Sequence, residues 1–105
     1  MLLARGARFD GIFAASDLIA IGALGALSAH GIDVPDDVAV AGFDDIPMAS
    51  FVNPPLTTVL QDTARAGETL VDSLLRLIHG EPVAGRMLPM KLVVRDSSRR
   101  QTACA

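Results

Sequence analysis

Short apolar runs separated by turn residues fill the first half of the chain, and this pattern predicts strands around a helix. Residues 11–15 form one such run and are apolar without alternation, which is typical of a strand buried on both faces. Residues 17–30 contain no proline and end before Gly31, so they predict a helix. A second continuous apolar run at residues 38–43 predicts a second buried strand.

The predicted first helix is apolar or small on every side rather than along one stripe. Because one face of a sheet cannot cover such a helix all round, a second covering surface is expected. Gly22 and Gly25 fit helix packing on a sheet and a helix-to-helix dimer contact equally well. Ser16 or Asp17 can supply the oxygen that accepts the free amide groups at the helix start.

The second half of the chain predicts a loop, a short strand, an amphipathic helix and a last strand. Three prolines in residues 44–55 favour a loop with at most a short helical turn at 48–51, and residues 57–60 predict a brief strand. Residues 88–94 alternate, which predicts a half-exposed edge strand. The helix between these strands starts near Asp62 and is expected to bury one apolar stripe, namely Leu70, Val71, Leu74, Leu75, Leu77 and Ile78.

This order of elements places helices between strands, which predicts an α/β fold with an open, mostly parallel sheet and flanking helices. One domain is expected over residues 1–98, with a C-terminal tail at 99–105 that holds the lone Cys104 as an unpaired thiol. Residues 1–8 are typical of the last turn of a helix whose beginning is missing. The chain is therefore expected to be the end of something longer.

Composition and charge restrict the function classes. The chain has 105 residues with 12 acidic and 9 basic side chains, a formal charge of −3, and 50% hydrophobic residues. This hydrophobic fraction argues against intrinsic disorder, and an acidic chain without a basic cluster before its tail offers no electrostatic footprint for nucleic acid. The longest apolar run, residues 18–32, is shorter than the roughly 20 residues that span a bilayer, and no secretory signal is visible. The sequence thus predicts a cytoplasmic protein without a membrane segment.

Acidic residues follow both buried strands of the first half, at the edge where open α/β sheets bind ligands. Asp17 follows the first strand, and Asp44 and Asp45 follow the second. A carboxylate can accept two hydroxyl groups at once, as a vicinal diol of a sugar offers them. The alternatives are that Asp17 caps the helix and that Asp44 and Asp45 stabilise a turn through Asx hydrogen bonds.

Aromatic rings and catalytic groups are few. Phe9, Phe13 and Phe43 are expected in the core, whereas Phe51 lies in a proline-bounded loop at the ligand end of the sheet. His30 and His79 fall in the last turns of the predicted helices, where they suit the exposed carbonyl groups. No serine has a nearby His/Asp set, and neither metal-ligand spacing nor a nucleotide-binding glycine loop occurs. The sequence predicts no enzymatic activity, no metal and no cofactor.

Five ordered segments, which together span about residues 9–98, carry a family resemblance. They lie at residues 13–24, 31–38, 42–47, 54–59 and 92–98. The most specific are Gly-Phe-Asp-Asp in the third and Pro-Pro-Leu-Thr-Thr in the fourth. In order and spacing these segments resemble the end of LacI/GalR-type transcriptional repressors. The resemblance implies the C-terminal subdomain of a type I periplasmic-binding-protein-like effector domain, in which two α/β subdomains close on a small molecule, usually a sugar, and alter a DNA-binding headpiece.

The resemblance also implies roles for single residues. Asp17 matches an aspartate that contacts hydroxyl groups of the effector, and the loop after the second strand borders the cleft, which makes Asp44 and Phe51 candidate ligand contacts. Ser16 stands where relatives often have Asn and is a further candidate, while Gln61 matches a position near the crossover strands. The first helix packs across the dimer in relatives, so the candidate dimer contacts are Ile21, Leu24, Gly25 and Ser28.

The function expected from the resemblance is sugar-responsive transcriptional regulation by a homodimer. The headpiece, the hinge and the first subdomain have no counterpart in these residues, so the chain is expected to be a fragment that neither binds operator DNA nor holds effector tightly. The main alternative is a fragment of a periplasmic sugar-binding protein of an ABC transporter, which shares the fold. A small α/β enzyme or receiver-like domain would need clustered acids with a lysine, and Lys91 is the only lysine.

Overall fold

The computed structural model describes residues 3–100, and the chain divides into two compact units. The first unit runs to Leu60 and resumes at Leu92, and the second comprises Gln61–Lys91. The first unit holds the buried core, and the second holds one long helix. The thiol predicted at Cys104 lies outside the described residues.

The first unit is built on a parallel pair of strands joined by a helix. Strand β1 (Gly11–Phe13) pairs in parallel with strand β2 (Ala39–Ala41). Helix α1 (Asp17–Ala29) lies between them in the chain and provides the crossover that parallel strands require. A further parallel bridge joins Ala41 to Thr57. The predicted α/β fold with parallel strands is confirmed.

The third strand is displaced by one residue from the predicted 57–60, and the last strand is shorter than the predicted 88–94. Strand β3 (Thr58–Gln61) pairs with strand β4 (Met90–Val93) in a second two-stranded sheet. Pro89 precedes β4 and cannot donate a backbone hydrogen bond, which limits the strand at this end. The helical turn predicted in the proline-rich loop is present as a short 3-10 helix at Pro47–Ser50, where proline suits the first helical position.

Helix α1 buries one face and exposes the other. Ala20, Leu24 and Leu27 recur at spacings of four and three residues and are buried in the core. Leu18 and Ile19 are exposed on the outward side. Both faces are therefore apolar, as the sequence predicted. The remaining core residues come from β2, the 3-10 helix and the connecting segments, namely Ala14, Val38, Val40, Ala49 and Leu56.

Phe13 departs from the prediction that the first strand is buried on both faces. Successive side chains of a strand point to opposite sides, and here Ile12 and Ala14 turn toward the core. The ring of Phe13 therefore turns outward and is 69% exposed. Phe9 packs against the core, which confirms the prediction for that ring, whereas the prediction is wrong for Phe13. Phe43 is half-buried.

The segment after β4 enters the core of the first unit through Ser97, which is fully buried. The Ser97 hydroxyl donates to the Val40 carbonyl at 2.6 Å and accepts a hydrogen bond from the Thr57 amide at 2.8 Å. The Val40 amide donates to the Ser97 carbonyl at 2.9 Å. Beyond it, the Arg100 side chain donates to the Pro35 carbonyl at 3.0 Å, so this part of the expected tail is held against the fold.

The second unit contains helix α2 (Thr63–Ile78) and the segment that follows it. Asp62 caps the helix, because its carboxylate accepts a hydrogen bond from the Arg65 amide at 3.0 Å. No residue of α2 is buried, and the six apolar side chains expected to be buried are exposed, with Leu70 at 70%. The sequence correctly predicted which residues form the apolar stripe, but the prediction that the stripe is buried is wrong.

Neither α1 nor α2, the helices of residues 3–100, has the length and apolarity to cross a membrane.

Gly42 is buried just after β2, beside the start of α1, and this position has no room for a side chain. A Cβ atom there would overlap the Asp17 carboxylate and lie 3.1 Å from Asp17 Cα and 3.2 Å from Ala20 Cβ. We expect Gly42→Ala to lower the free energy of unfolding by about 1–3 kcal/mol, measured by urea unfolding followed by circular dichroism.

Gly22→Ala is the matched control for this substitution. A Cβ atom at Gly22 meets no neighbouring heavy atom within 4 Å, and alanine favours a helix over glycine by roughly 0.5–1 kcal/mol. The control is therefore expected to be as stable as the parent chain or more stable. Equal unfolding midpoints for the two variants would contradict the close approach at Gly42.

Candidate functional site

The carboxyl ends of β1 and β2 meet at one edge of the parallel pair. Ser16 and Asp17 follow β1, and Asp44 follows β2. The Asp17 amide donates to the Phe43 carbonyl at 3.0 Å, which joins the two ends directly. The Asp44 amide donates to the Val59 carbonyl of β3 at 2.9 Å. We call this place the edge site and define it as Ser16, Asp17, Asp44 and Asp45.

Asp17 is a fully buried member of the edge site. Its Oδ1 atom accepts a hydrogen bond from the Thr58 hydroxyl at 2.6 Å, and its Oδ2 atom accepts one from the Ile46 amide at 2.9 Å. Both oxygens thus bind groups distant in sequence, which differs from the helix cap considered as an alternative. Direct contact between Asp17 and a ligand stays a prediction, and it would require these buried hydrogen bonds to open.

Ser16 is the residue that caps α1. Its Oγ atom accepts a hydrogen bond from the Ile19 amide at 3.3 Å, and its backbone is extended, as a capping residue requires. The side chain is half-buried at the edge of the sheet. A hydroxyl group can accept a second hydrogen bond and donate one, so the capping role leaves capacity for a ligand.

Asp44 and Asp45 have positive backbone φ angles of 120° and 56°. Residues other than glycine rarely adopt positive φ, and such positions store roughly 1–3 kcal/mol each, which surrounding contacts must hold. Hydrogen bonds fix this segment: beyond the bond from the Asp44 amide, the Asp45 amide donates to Thr58 Oγ1 at 3.2 Å. Asp44 is exposed at the surface of the edge site, whereas Asp45 is half-buried.

Arg95 is a residue of this region that sequence reasoning missed. Its guanidinium contacts Asp45 Oδ1 at 2.8 Å and donates to the Leu56 carbonyl at 2.9 Å. The two charged side chains are only 20% and 18% exposed, so the ion pair is largely shielded from water. The Asp45 carboxylate therefore meets a cation, where an Asx turn was one expectation. The signal available was the resemblance segment 92–98, which contains this arginine, but nothing in that segment indicated which acid the arginine contacts.

Phe51 ends the short 3-10 helix, and its ring is 84% exposed. Met48 in the same loop is exposed as well. An aromatic ring this exposed contributes little to the core of its own chain. Its predicted role as a ligand contact stays a prediction.

The four candidate dimer residues of α1 differ in accessibility. Gly25 and Ser28 are exposed, Ile21 is half-buried against the core, and Leu24 is buried at 8% exposure. Leu24 therefore packs within its own chain and has little surface left for a partner. The surface that α1 offers consists of Leu18 and Ile19 with the small residues of its outward face.

The histidines close the helices, as predicted. His30 Nδ1 lies 2.8 Å from the Ala26 carbonyl, and His79 Nδ1 lies 2.7 Å from the Leu75 carbonyl. Each ring thus contacts a carbonyl of the last helical turn. In the part of the chain that the structure describes, no group of three His, Cys, Asp or Glu residues could hold a metal ion.

The sequence of this chain matches a known protein family over most of its length. Residues 2–98 match the periplasmic binding protein-like domain, and the chain therefore belongs to that family. Within it, the chain is 38% identical to the lactose operon repressor of Rhizobium radiobacter over 103 residues, which are 97% of this chain and 91% of that sequence.

Solved structures of transcriptional regulators are similar to this chain in fold. The Lac repressor dimer bound to operator and the anti-inducer ONPF superposes with a TM-score of 0.85 at 39% identity, over 92% of this chain and 34% of that chain. The transcriptional regulator CelR in complex with cellobiose gives a TM-score of 0.82 at 42% identity, over 91% of this chain and 30% of that chain.

These relatives confirm the resemblance to the effector domain of LacI/GalR-type repressors. They are transcriptional repressors and regulators rather than enzymes. The chain spans only 24% to 30% of the length of seven further curated regulators that it matches.

Thr58 joins the two acidic parts of the edge site, because its hydroxyl donates to Asp17 and accepts from the Asp45 amide. Thr58→Val keeps the shape but leaves both groups without this partner. We expect the free energy of unfolding to fall by about 2–4 kcal/mol, since each buried polar group left unsatisfied costs roughly 1–3 kcal/mol. Urea unfolding measures the change.

Thr69→Val provides the control at a half-buried threonine of α2. A change within about 0.5 kcal/mol is expected there. If Thr58→Val were equally mild, the hydrogen bonds of Thr58 would not support the edge site.

Proposed function

We propose that this chain is the C-terminal part of the effector-binding and dimerisation region of a sugar-responsive, LacI-type transcriptional regulator. The observation that carries the proposal is the match to the Lac repressor over more than nine tenths of this chain. The matched segment is about a third of that repressor, so operator contact is assigned to a headpiece outside it. The regulator acts in the cytoplasm, and neither a catalytic step nor a cofactor is assigned to it.

The edge site supplies the chemistry that recognition of a sugar requires. Asp44 carries a carboxylate at the exposed edge, and carboxylate oxygens accept strong hydrogen bonds from hydroxyl groups. Ser16 adds a hydroxyl group at the start of α1, and Phe51 offers an exposed ring for stacking on an apolar sugar face. The presence of cellobiose in the CelR complex supports a sugar as the effector class.

Asp17 supports this site from within the fold. Its buried carboxylate holds Thr58 and the Ile46 amide, the groups that lie on either side of Asp45 in the hydrogen-bond network. A ligand that contacts Asp44 therefore meets a backbone whose position is fixed before binding. Preorganisation of this kind lowers the entropy that binding must overcome.

The proposed mechanism is a shift between two arrangements of the effector domain. A sugar that binds one arrangement more tightly raises the population of that arrangement, and the difference in affinity sets the size of the shift. The headpieces of a dimer then change their spacing on the operator. The relatives described above are regulators, which favours this mechanism over the transport protein considered as the alternative.

A repressor chimera tests the proposal. Residues 9–98 replace the matching segment of the Lac repressor, and a reporter gene behind the lac operator is measured with a panel of mono- and disaccharides that includes cellobiose. We expect repression without sugar and release by at least one sugar. Asp44→Asn should raise the half-maximal concentration of that sugar about 10-fold or more, because a hydrogen bond to a charged group contributes roughly 1.5–3 kcal/mol.

Asp36→Asn is the matched control, since Asp36 is an exposed aspartate of the turn before β2. It should leave both repression and release unchanged. A chimera that represses but responds to none of the sugars, or one in which the two substitutions have the same effect, would refute the assignment of the edge site.

The outward face of α1 is proposed as the surface of a homodimer. We expect Gly25→Glu to halve the sedimenting mass of the chimera, because a carboxylate then lies in the apolar contact. Gly67→Glu makes the same change at an exposed glycine of α2 and should leave the mass unaltered. Analytical ultracentrifugation distinguishes the outcomes, and a dimer that survives Gly25→Glu would exclude this surface.

A further inference from the structure

We propose that Arg95 is a positioning residue of the edge site, whose ion pair with Asp45 holds the strained backbone at Asp44 and Asp45 and thereby fixes the Asp44 carboxylate for the effector. The role given to Asp44 rests on the proposed function. The effect on the backbone concerns this chain alone and is measured without any ligand.

The strained segment needs an external contact to keep its conformation. Asp45 has a φ angle close to the left-handed region near 57°, but Asp44, at 120°, lies well outside that region. Hydrogen bonds of the Asp44, Asp45 and Ile46 amides fix the position of the chain. The Asp45 side chain adds a charged contact to the segment from a distant part of the sequence.

Arg95 is suited to this task because its own backbone is fixed. The Arg95 amide donates to Thr57 Oγ1 at 2.8 Å, and the Thr57 hydroxyl donates to the Arg95 carbonyl at 3.0 Å. The guanidinium then contacts Asp45 and the Leu56 carbonyl at the same time. The backbone bonds to Thr57 and the guanidinium bond to the Leu56 carbonyl restrain the two ends of the Arg95 side chain. Little further conformational entropy is therefore lost when the ion pair with Asp45 forms.

The ion pair ties the strained segment to the residues that enter β3. Leu56, held by one nitrogen of Arg95, directly precedes Thr57 and Thr58. Thr58 in turn accepts from the Asp45 amide. Asp45 is therefore connected to the start of β3 twice, through the Arg95 side chain and through its own amide. Loss of the Arg95 side chain removes the first of these connections and leaves a half-buried carboxylate without its cation.

Amide hydrogen exchange of this chain, followed by NMR, tests the effect on the backbone. Arg95→Gln should raise the exchange rates of the Asp44, Asp45 and Ile46 amides about 10-fold relative to the Val40 amide of β2, because a shielded ion pair restrains local opening. Arg99→Gln is the matched control, since Arg99 is exposed and its side chain lies 3.4 Å from the Val94 carbonyl. A uniform rise at all of these amides would overturn the proposal, because Arg95 would then stabilise the whole fold only.

Asp45→Gly removes the carboxylate that pairs with Arg95, and glycine adopts the φ of 56° found there without strain. In this background the further substitution Arg95→Gln should therefore change the exchange of the Asp44 and Ile46 amides by less than about twofold. A repeated 10-fold rise would show that Arg95 acts without Asp45 and would overturn the proposal. Arg95→Lys keeps the positive charge but loses the planar guanidinium group that contacts two partners at once. Its amide exchange rates are expected to lie between those of the parent chain and those of Arg95→Gln.

The repressor chimera tests the effect on effector binding. Arg95→Gln should raise the half-maximal concentration of the releasing sugar about 10-fold without altering repression in its absence, and Arg95→Lys should restore part of the response. If a sugar releases the chimera carrying Arg95→Gln as readily as the unsubstituted chimera, the positioning role is wrong. If no sugar releases the unsubstituted chimera, the proposed function fails and the effector role of Arg95 with it, while the exchange measurement still decides the backbone role.

Discussion

The buried carboxylate of Asp17 is the interaction on which the rest of the first unit depends. A charged group removed from water is costly unless hydrogen bonds compensate it, and here the Thr58 hydroxyl and the Ile46 amide do so. The amino end of α1 adds a favourable dipole at the same place. One side chain thus binds β3 and the segment after β2 to the start of the helix. Gly42 passes beside it because only a residue without a side chain leaves room for the carboxylate.

The three acidic residues of the edge site therefore have different roles in the structure. Asp17 is buried and uses both oxygens within the fold, whereas Asp44 is exposed on a backbone that such internal contacts hold in a strained form. An exposed acidic residue on a backbone held by internal contacts suits the binding of a small polyhydroxylated molecule. Asp45 belongs to the support, since its carboxylate meets Arg95 in a shielded place.

Local signals in the sequence predicted the order of the elements, the ends of both helices to within one or two residues, and the apolar character of α1 on all sides. They did not predict contacts between distant parts of the chain. Thr58 and Asp17 are 41 residues apart, and no periodicity reveals which threonine hydroxyl reaches a buried acid. Arg95 was missed for the same reason. Phe13 was misplaced because a three-residue strand buries alternate side chains only, and the run of apolar residues hides that alternation.

The C-terminal segment shows why the fold and the edge site cannot be separated in this chain. Ser97 bonds to Val40 in the centre of the core, and two residues earlier Arg95 contacts Asp45 beside the edge site. Both contacts come from residues that follow the predicted last strand at 88–94. A change that displaces this stretch therefore removes core hydrogen bonds and the restraint on Asp45 together, so a loss of effector response there has meaning only alongside a measurement of stability. Substitutions of the Arg95 side chain avoid that ambiguity, because the backbone bonds of Arg95 to Thr57 do not depend on the guanidinium.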